Sequence, residues 1–426
     1  MKKTAWVVLS AITCLVAALR AQQNEAMNAA EIVNTAVTKN HEFLALLERT
    51  RETEALLRQA GLRPFPTLEV NGATGRPLGT VGEEEYSAGY FQPIETGGKR
   101  LKRISVAQFS VQLSRAEIDE KQRQLTFDVR SRYAEAVAAY RKLEAARALL
   151  RIDRENYDLT NARVRAGDAA ALEAALFLTE AGKTQAQEVG YNARLSAAMS
   201  ELRRIAGLNV AEPLQIRFDF TPIPALPPLA DLQRRSNDRA DIRLLRISER
   251  QTEAAVELAR AEGKPDLTAS ARYARRDSRF NAFGLSASGA TVPLRDRDDI
   301  LSFGISIPIL TGSRNRGNVE AAVARAAGAE QRRAFLEGVI PQEVESAYRR
   351  LVAAKQVIDL LVNVLDQSEA NLKVIREAYT LGQLRVLDVL NEQRRLVDVR
   401  LSYIDAEMEA EQAQVELERA VGGPIQ

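Results

Sequence analysis

The side chains that most often catalyse reactions or bind metals are scarce in this sequence. His41 is the only histidine, Cys14 is the only cysteine, and the four methionines are scattered. A Ser-His-Asp triad, a thiolate nucleophile or a zinc site needs such residues in combination. Residues 96–99, Thr-Gly-Gly-Lys, lack the spacing of a phosphate-binding P-loop. We therefore predict no catalytic residue, no cofactor and no metal site, and we expect the abundant Asp and Glu side chains to be solvated.

Composition and charge describe a folded protein rich in long helices. Hydrophobic residues make up 46% and charged residues 27%, but aromatic residues only 5%. Ala, Leu, Arg, Glu and Gln dominate the long runs, which is typical of extended helices and coiled coils. The 59 basic and 57 acidic residues nearly balance, and no basic tail is present. This balance argues against nucleic acid as a partner.

The N-terminus is typical of an export signal. Lys2 and Lys3 precede an apolar run from about residue 5 to about residue 19, and we predict cleavage after Ala21. The alternative is a retained anchor, but the run is shorter than the roughly 20 residues of a spanning helix. Cleavage would remove Cys14, so the exported protein could form no disulfide.

One turn motif occurs twice. Residues 92–100 read QPIETGGKR and residues 307–314 read IPILTGSR. In both copies an apolar segment ends and a long helical pattern begins, so each predicts a turn from strand to helix. The corresponding residues, 215 positions apart, are Pro93 and Pro308, Thr96 and Thr311, and Gly97 and Gly312. The same offset relates Gly167 to Gly382, which indicates a tandem duplication.

The sequence patterns of the two halves predict the same order of helices and strands. In the first half we predict a helix over about 28–59, strands at 67–74 and 86–94, a helix over 99–166, and a returning helix from a cap at Asp168 to about 206. In the second half we predict a helix over about 231–262, strands at 267–273 and 301–309, a helix ending at 381 and a returning helix to about 421.

These elements define four segments. They are a signal peptide (1–21), a first repeat (22–206), a Pro-rich linker (207–228) and a second repeat (229–426). Apolar residues recur at steps of three and four over 125–150 and again over 344–375, which is the spacing of a coiled-coil seam. The longest of these helices would measure about 100 Å. Pro341 is expected to bend the second long helix.

The predicted strands have the alternation and the approximate length of membrane-spanning β-strands. Apolar residues alternate with small or polar ones over 301–309, and the segment approaches the roughly 9 to 11 residues of a transmembrane β-strand. An ordinary half-buried sheet is the alternative. Four strands are too few to close a barrel, which needs about eight, so several copies would have to contribute. Three copies would supply 12 strands, with the coiled helices continuing as a tube.

The chain resembles the TolC-like outer-membrane efflux factor family, and more narrowly its branch for cobalt, zinc and cadmium. Residues 92–100 carry the narrower resemblance, and the duplication with Gly167 and Gly382 carries the broader one. The resemblance implies a homotrimer with a 12-stranded barrel in the outer membrane of a Gram-negative bacterium and an α-helical tube in the periplasm. It also implies a periplasmic adaptor and an inner-membrane efflux transporter as partners, outer-membrane lipid as surroundings, and passive passage of substrate.

In the family, the turns of the helical hairpins dock the adaptor. The corresponding residues here are Arg163, Arg165, Gly167, Tyr379, Leu381 and Gly382. The alternative is that these residues only end the helices, because glycine permits such turns.

The resemblance also implies a gate. Asp388 aligns with an acidic position that lines the constriction of family members, and a threefold ring of carboxylates would favour cations. Asn391 stands where some relatives have a second acid, which would weaken the ring. Glu173, the repeat partner of Asp388, and Arg385 are candidates for pairings that keep the tube closed. An ordinary surface Asp at position 388 is the alternative.

Two other functions compete with this interpretation. A soluble periplasmic coiled-coil scaffold or adaptor would explain the helices and the signal, but it would leave the duplicated hairpins unexplained. An exported enzyme conflicts with the missing residue types. Heavy-metal cations are the expected cargo, and drugs are the alternative.

Overall fold

The computed structural model describes residues 26–79, 82–309 and 315–425. The elements form two successions of helices, strands and a long helical hairpin. The helices are α1 Ala29–Lys39, α2 His41–Ala60, α3 Lys99–Ala166, α4 Ala171–Ile205, α5 Leu229–Arg235, α6 Ala240–Glu262, α7 Arg316–Thr380 and α8 Val386–Val421. The strands are β1 Thr67–Thr74, β2 Glu84–Ile94, β3 Leu267–Leu285 and β4 Thr291–Ser306. The predicted fold class, mainly α with a small β part, is confirmed.

The chain forms two compact units. Of the described residues, the helical unit contains 26–48, 116–243 and 335–425, and the sheet unit contains 49–79, 82–115, 244–309 and 315–334. Each unit therefore takes segments from both halves of the sequence. The compact units do not follow the predicted division into two repeats and a linker at 207–228. That division describes a duplication of the sequence, and it stays a prediction.

The core of the helical unit lies along the predicted seams. Val129 and Leu143 on α3 and Leu351 on α7 are buried. One apolar cluster packs α3 against α1 and the end of α4, and a second packs α7 against α5 and the end of α8. The steps of three and four thus place one face of each long helix against its neighbours. Pro341 lies inside continuous α7.

The first predicted helix is two helices, so the single helix over 28–59 is wrong. Asn40 separates α1 from α2 with an extended backbone at ψ 112°. Its side-chain oxygen accepts hydrogen bonds from the backbone amides of Glu42 and Phe43, at 2.9 and 3.1 Å, and its amide donates to the carbonyl of Ile205 at 2.9 Å. Asparagine competes with helical backbone pairing in this way, and the break turns the chain.

The predicted helix over 231–262 is also interrupted. Arg239 lies between α5 and α6 with an extended backbone at ψ 149°. Its guanidinium is buried and contacts the carboxylates of Asp241 and Glu343 at 2.6 and 2.7 Å. A buried arginine needs such partners, and the non-helical residue lets its side chain reach them.

The sheet unit contains one antiparallel sheet in the order β1-β2-β3-β4. Burial alternates along β2: Ser87 is buried on one face, and Tyr86 and Tyr90 are exposed on the other at 55% and 47%. The face of Tyr86 and Tyr90 is called the outer face here. Its exposed apolar members on the other strands include Leu68, Val70, Tyr273, Leu301, Phe303 and Ile305.

The second hairpin is longer than predicted. β3 extends to Leu285 rather than to residue 273, and β4 begins at Thr291 rather than at residue 301. The additional residues are rich in Arg and Asp, so they lack the apolar alternation that marks a strand. Register partners of opposite charge, such as Asp277 with Arg297, hold these strands together.

The first strand-to-helix turn is fixed by the segment that precedes β3. The backbone amide of Thr96 donates to Asp266 at 2.9 Å, and its hydroxyl donates to the carbonyl of Pro265. Gly97 has φ +67°, and a Cβ atom there would approach the side chain of Lys264 to 2.6 Å. Pro93 lies in β2 opposite Thr268. In the second copy, Pro308 follows β4 and is exposed, whereas Thr311 and Gly312 lie outside the described residues.

Within residues 26–79, 82–309 and 315–425, none of the helices combines the length and the apolar character that crossing a bilayer requires.

The break between α1 and α2 gives a direct test. We expect Asn40→Ala to lower the free energy of unfolding by about 1 to 2 kcal/mol, because it removes the oxygen that accepts two capping hydrogen bonds and leaves the carbonyl of Ile205 without its donor. Chemical denaturation followed by circular dichroism measures the change. Asn34→Ala, on the exposed side of α1, is the matched control and should change stability by less than about 0.5 kcal/mol. Equal effects of the two variants would contradict the capping role.

Candidate functional site

The two helical hairpins turn by the same hydrogen-bond pattern. At the first turn, the amide of Asp168 donates to the carbonyl of Arg163 at 2.8 Å; at the second, Gln383 donates to Ala378 at 2.9 Å. The glycine before each donor has a left-handed backbone, with φ +84° at Gly167 and +74° at Gly382. This pattern is the Schellman motif, which ends a helix where a glycine permits positive φ.

The returning helices begin alike but are capped differently. The N-caps are Ala170 for α4 and Arg385 for α8, so the predicted cap at Asp168 is wrong, because its amide belongs to the turn. Asp388 in the first turn of α8 accepts a hydrogen bond from the backbone amide of Arg385 at 2.9 Å. The carboxylate of Asp388 therefore stabilises the start of its own helix. Glu173, at the equivalent position of α4, points elsewhere.

Glu173 contacts the second turn through Tyr379. The Tyr379 hydroxyl donates to Oε2 of Glu173 at 3.2 Å. The Tyr379 ring packs edge-on against Phe177, with 6.4 Å between centroids, and the guanidinium of Arg163 lies 5.7 Å from the ring centre. Burial raises the pKa of the Tyr379 hydroxyl, so it stays protonated and donates at neutral pH. The two turns are thus held together by one aromatic residue.

The remaining predicted residues lie on the surface of the turns. Arg165, Asp388 and Asn391 are exposed, and Leu381 exposes 74% of its surface. Arg385 is exposed, and among the residues that the structure describes its side chain makes no ion pair with a carboxylate. The structure therefore brings Glu173, Tyr379 and Arg163 together, and it leaves Asp388 and Asn391 facing outward on α8.

Sequence reasoning missed a buried carboxylate above the turns. Asp153 on α3 is fully buried and accepts hydrogen bonds from Thr184 of α4 at 2.7 Å and from Gln393 of α8 at 2.6 Å. One carboxylate therefore ties three helices. Its position one residue after Ile152 in an Arg- and Glu-rich run gave no signal, because the sequence alone does not show which acid faces the neighbours.

The carboxyl group of Asp153 is protonated more readily in the folded protein than it would be in water. Burial raises the pKa of Asp153 above its ordinary value, although the bonds from Thr184 and Gln393 favour the charged form. The nearby Glu180 has its pKa lowered by Arg394, at 2.6 Å, and also contacts Lys183 at 3.3 Å. Glu180 is thus the charged member of this pair and Asp153 the more readily protonated one.

Metal ligands do not cluster in the described part of the chain. No group of three or more His, Cys, Asp or Glu side chains there is placed to hold an ion. His41 is the first residue of α2 and is exposed.

The fold and the sequence match those of efflux channels. A solved structure of the channel CusC superposes with a TM-score of 0.72 over 93% of this chain and 92% of that one, at 18% identity. The cobalt-zinc-cadmium resistance protein CzcC of Cupriavidus metallidurans is 22% identical over 391 residues, 92% of this chain and 88% of the relative. The nickel-cobalt-cadmium resistance protein NccC of Alcaligenes xylosoxydans xylosoxydans is 26% identical over 289 residues, 67% of this chain and 60% of that protein.

Long helical hairpins combined with a small antiparallel sheet are the fold that this chain shares with solved outer-membrane efflux channels. The family profile described as Outer membrane efflux protein matches residues 17–208 and again residues 232–423. The chain belongs to this family, a family of transport channels. It is an outer-membrane efflux channel that extends into the periplasm, so the resemblance seen in the sequence is confirmed.

The buried carboxylate yields a pH-dependent prediction. The folded state holds the proton of Asp153 more tightly than the unfolded chain does, so its contribution to stability is full below pH 3.8 and is lost as the pH rises through the folded pKa. Asp153→Asn should remove this loss while keeping an acceptor for Thr184. We would measure denaturation midpoints from about pH 3.5 to about pH 7.

The matched control for this prediction is Asp168→Asn, because Asp168 is exposed in the first turn. The control should reproduce the pH dependence of the wild type. A pH dependence that is identical in the wild type and in Asp153→Asn would show that Asp153 titrates alike in the folded and unfolded states.

Proposed function

We propose that three copies of this chain form one channel. The observation that carries this proposal is the four-stranded sheet, whose order leaves β1 and β4 with one neighbour each. Its outer face is apolar and exposed, with Val70 at 75% and Phe303 at 78%. Pairing β4 of one copy with β1 of the next would satisfy both edges. Three sheets would then supply the 12 strands of a barrel whose apolar surface faces lipid.

We infer that the channel works in a tripartite pump, with a periplasmic adaptor and an inner-membrane transporter. The exposed residues of the two turns, Arg165 and Leu381 above all, support docking there. Arginine is enriched in protein interfaces, and an exposed apolar side chain in the neighbouring turn adds area that a partner would bury. The turns are rigid because Tyr379 packs them against each other.

We propose heavy-metal cations as the cargo, which is supported by the printed names of the relatives CzcC and NccC. The outward-facing carboxylate of Asp388 supports the same inference, because three copies would place three carboxylates around one axis. Asn391, one helical turn further along α8, would add polar but uncharged ligands. The channel itself would pass the ions without holding them, since selection by affinity would slow their exit.

The charge ring can be tested by conductance. We expect Asp388→Asn to lower the cation-to-anion permeability ratio in planar bilayers by at least about twofold, because it removes three charges from the constriction. The amide can still accept the hydrogen bond from Arg385, so α8 should keep its cap. Asp398→Asn, on an exposed position of the same helix, is the matched control and should leave the ratio unchanged. Equal ratios for all three proteins would contradict the ring.

Adaptor docking can be tested at Leu381. Leu381→Ser should reduce cross-linking of the channel to its periplasmic adaptor at least about fivefold, since a buried interface anchor contributes more than about 1 kcal/mol. Leu360→Ser, which changes a leucine of α7 exposed at 67%, is the control. The conductance of both variants should equal that of the wild type. Unchanged cross-linking of Leu381→Ser would exclude this turn as an anchor.

A further inference from the structure

The hairpin of β3 and β4 continues beyond its neighbours. β2 pairs with β3 only as far as Glu84 with Asp277, whereas β3 and β4 stay paired to Leu285 and Thr291. A two-stranded ribbon, residues 278–296, therefore extends past the end of the four-stranded sheet. This end is the one farthest from residues 95 and 266, where the strands join the helices.

The outer face changes character along β4. Phe303 and Leu301 are apolar, and the next outward residues are Asp299, Arg297 and Arg295. The register places Tyr273 opposite Leu301, at the boundary between the apolar and the charged parts. Tyrosine is enriched where a transmembrane surface meets the headgroups. The charged part therefore begins where an apolar, lipid-facing band would end.

The charges of this part do not cancel. Three acidic side chains on the outer face, Glu84, Asp277 and Asp299, each have an arginine partner. The pairs are Glu84 with Arg76 at 2.5 Å, Asp277 with Arg297 at 2.7 Å, and Asp299 with Arg275 at 3.9 Å. Two arginines on the same face, Arg279 and Arg295, form no ion pair with any residue that the structure describes.

These two arginines are direct register partners. Arg279 on β3 lies opposite Arg295 on β4, and both are exposed. Like charges opposite each other destabilise a pair of strands, and an anion bound by both guanidinium groups would offset that repulsion. Among the described charged residues of the outer face, these two arginines are the ones without an ion-pair partner.

The position of Arg279 is fixed by its backbone neighbours. Its side-chain carbons lie 3.0 Å from where a Cβ atom of Gly82 would be, so the stem fits only against glycine. The register shifts immediately after Arg279, where residues 280–282 face Leu294 alone. Such bulges redirect the adjoining side chains. Gly82 thus leaves room for the stem of Arg279, and the bulge begins directly after this residue.

We propose that Arg279 and Arg295 form a binding site for a phosphate group of the anionic glycolipid in the outer leaflet. Guanidinium groups match phosphate oxygens in charge and in bidentate geometry. Arg295 lies six residues from Leu301 along β4, which is about 20 Å of strand and about 14 Å of height at a tilt of about 45°. That height lies above the hydrocarbon, within the layer of phosphorylated sugars. The site rests on the proposed trimeric channel, since only a membrane-inserted sheet meets this layer.

The test compares lipid binding by purified channel in detergent. The probes are lipid A with its phosphates, the same lipid after enzymatic dephosphorylation, and inorganic phosphate. The variant R279Q/R295Q removes both charges. The control R276Q removes one arginine from the opposite face of β3, where Arg276 contacts Glu85 at 3.0 Å. Binding is measured by native mass spectrometry and by titration.

We expect wild type and R276Q to bind phosphorylated lipid A equally, and R279Q/R295Q to bind it at least about tenfold more weakly, as loss of charged hydrogen bonds predicts. Dephosphorylation should weaken wild-type binding to the same extent. Equal binding by wild type and R279Q/R295Q, or equal binding of both lipids, would overturn the site. Inorganic phosphate that binds as tightly as lipid A would overturn the lipid as its source.

Conductance in phosphatidylcholine bilayers separates this site from the channel itself. All three proteins should insert and conduct there, because such bilayers contain no glycolipid. Insertion with unaltered lipid A binding in R279Q/R295Q would reject only the phosphate site. Failure of the wild type to insert would reject the proposed channel.

Discussion

The strongest constraint on this molecule comes from its four-stranded sheet. In a single chain, the apolar face of the sheet is unfavourable in water and its unpaired edge strands are unfavourable in lipid. β1 and β4 present backbone groups without a neighbouring strand, and each unpaired buried group would cost several kcal/mol in a membrane. The outer face exposes apolar side chains such as Phe303 and Ile305, which water disfavours. Lipid around the sheet and further copies at its edges remove both costs. The family of the chain and the proposed trimer both agree with this constraint.

In the helical unit, the chain must reverse direction at the end of each long helix. The last carbonyl groups of that helix still need hydrogen-bond donors. Gly167 and Gly382 meet both requirements by the same hydrogen bonds, and Tyr379 holds the two reversals together. Asp153 ties the helices further along by neutral donors. An apolar cluster that includes Phe177, Tyr379 and Val389 packs the helix ends at the turns, and the Tyr379 hydroxyl adds its hydrogen bond to Glu173.

Much of the fold could be predicted from the sequence, because the signals are local and strong. The bounds of α3 follow from a run of residues without Gly or Pro between two glycine turns. The break at Asn40 could not be predicted, because it depends on a hydrogen bond that the Asn40 side-chain amide donates to the carbonyl of Ile205, far along the chain. The length of β3 was missed because its outer face becomes charged. The turn residues were found through their glycines, but the role of Asp153 depends on which face of α3 is buried.

The most direct test of the account is the mass and the image of the exported chain extracted from outer membranes in detergent. Native mass spectrometry should give three copies, and electron microscopy should show a detergent belt around the sheet, because the outer faces of β1 to β4 would be in lipid. A chain that is released from membranes by carbonate and has the mass of a monomer without detergent would contradict the channel. In that case the exposed apolar face of the sheet would have to bind a soluble partner.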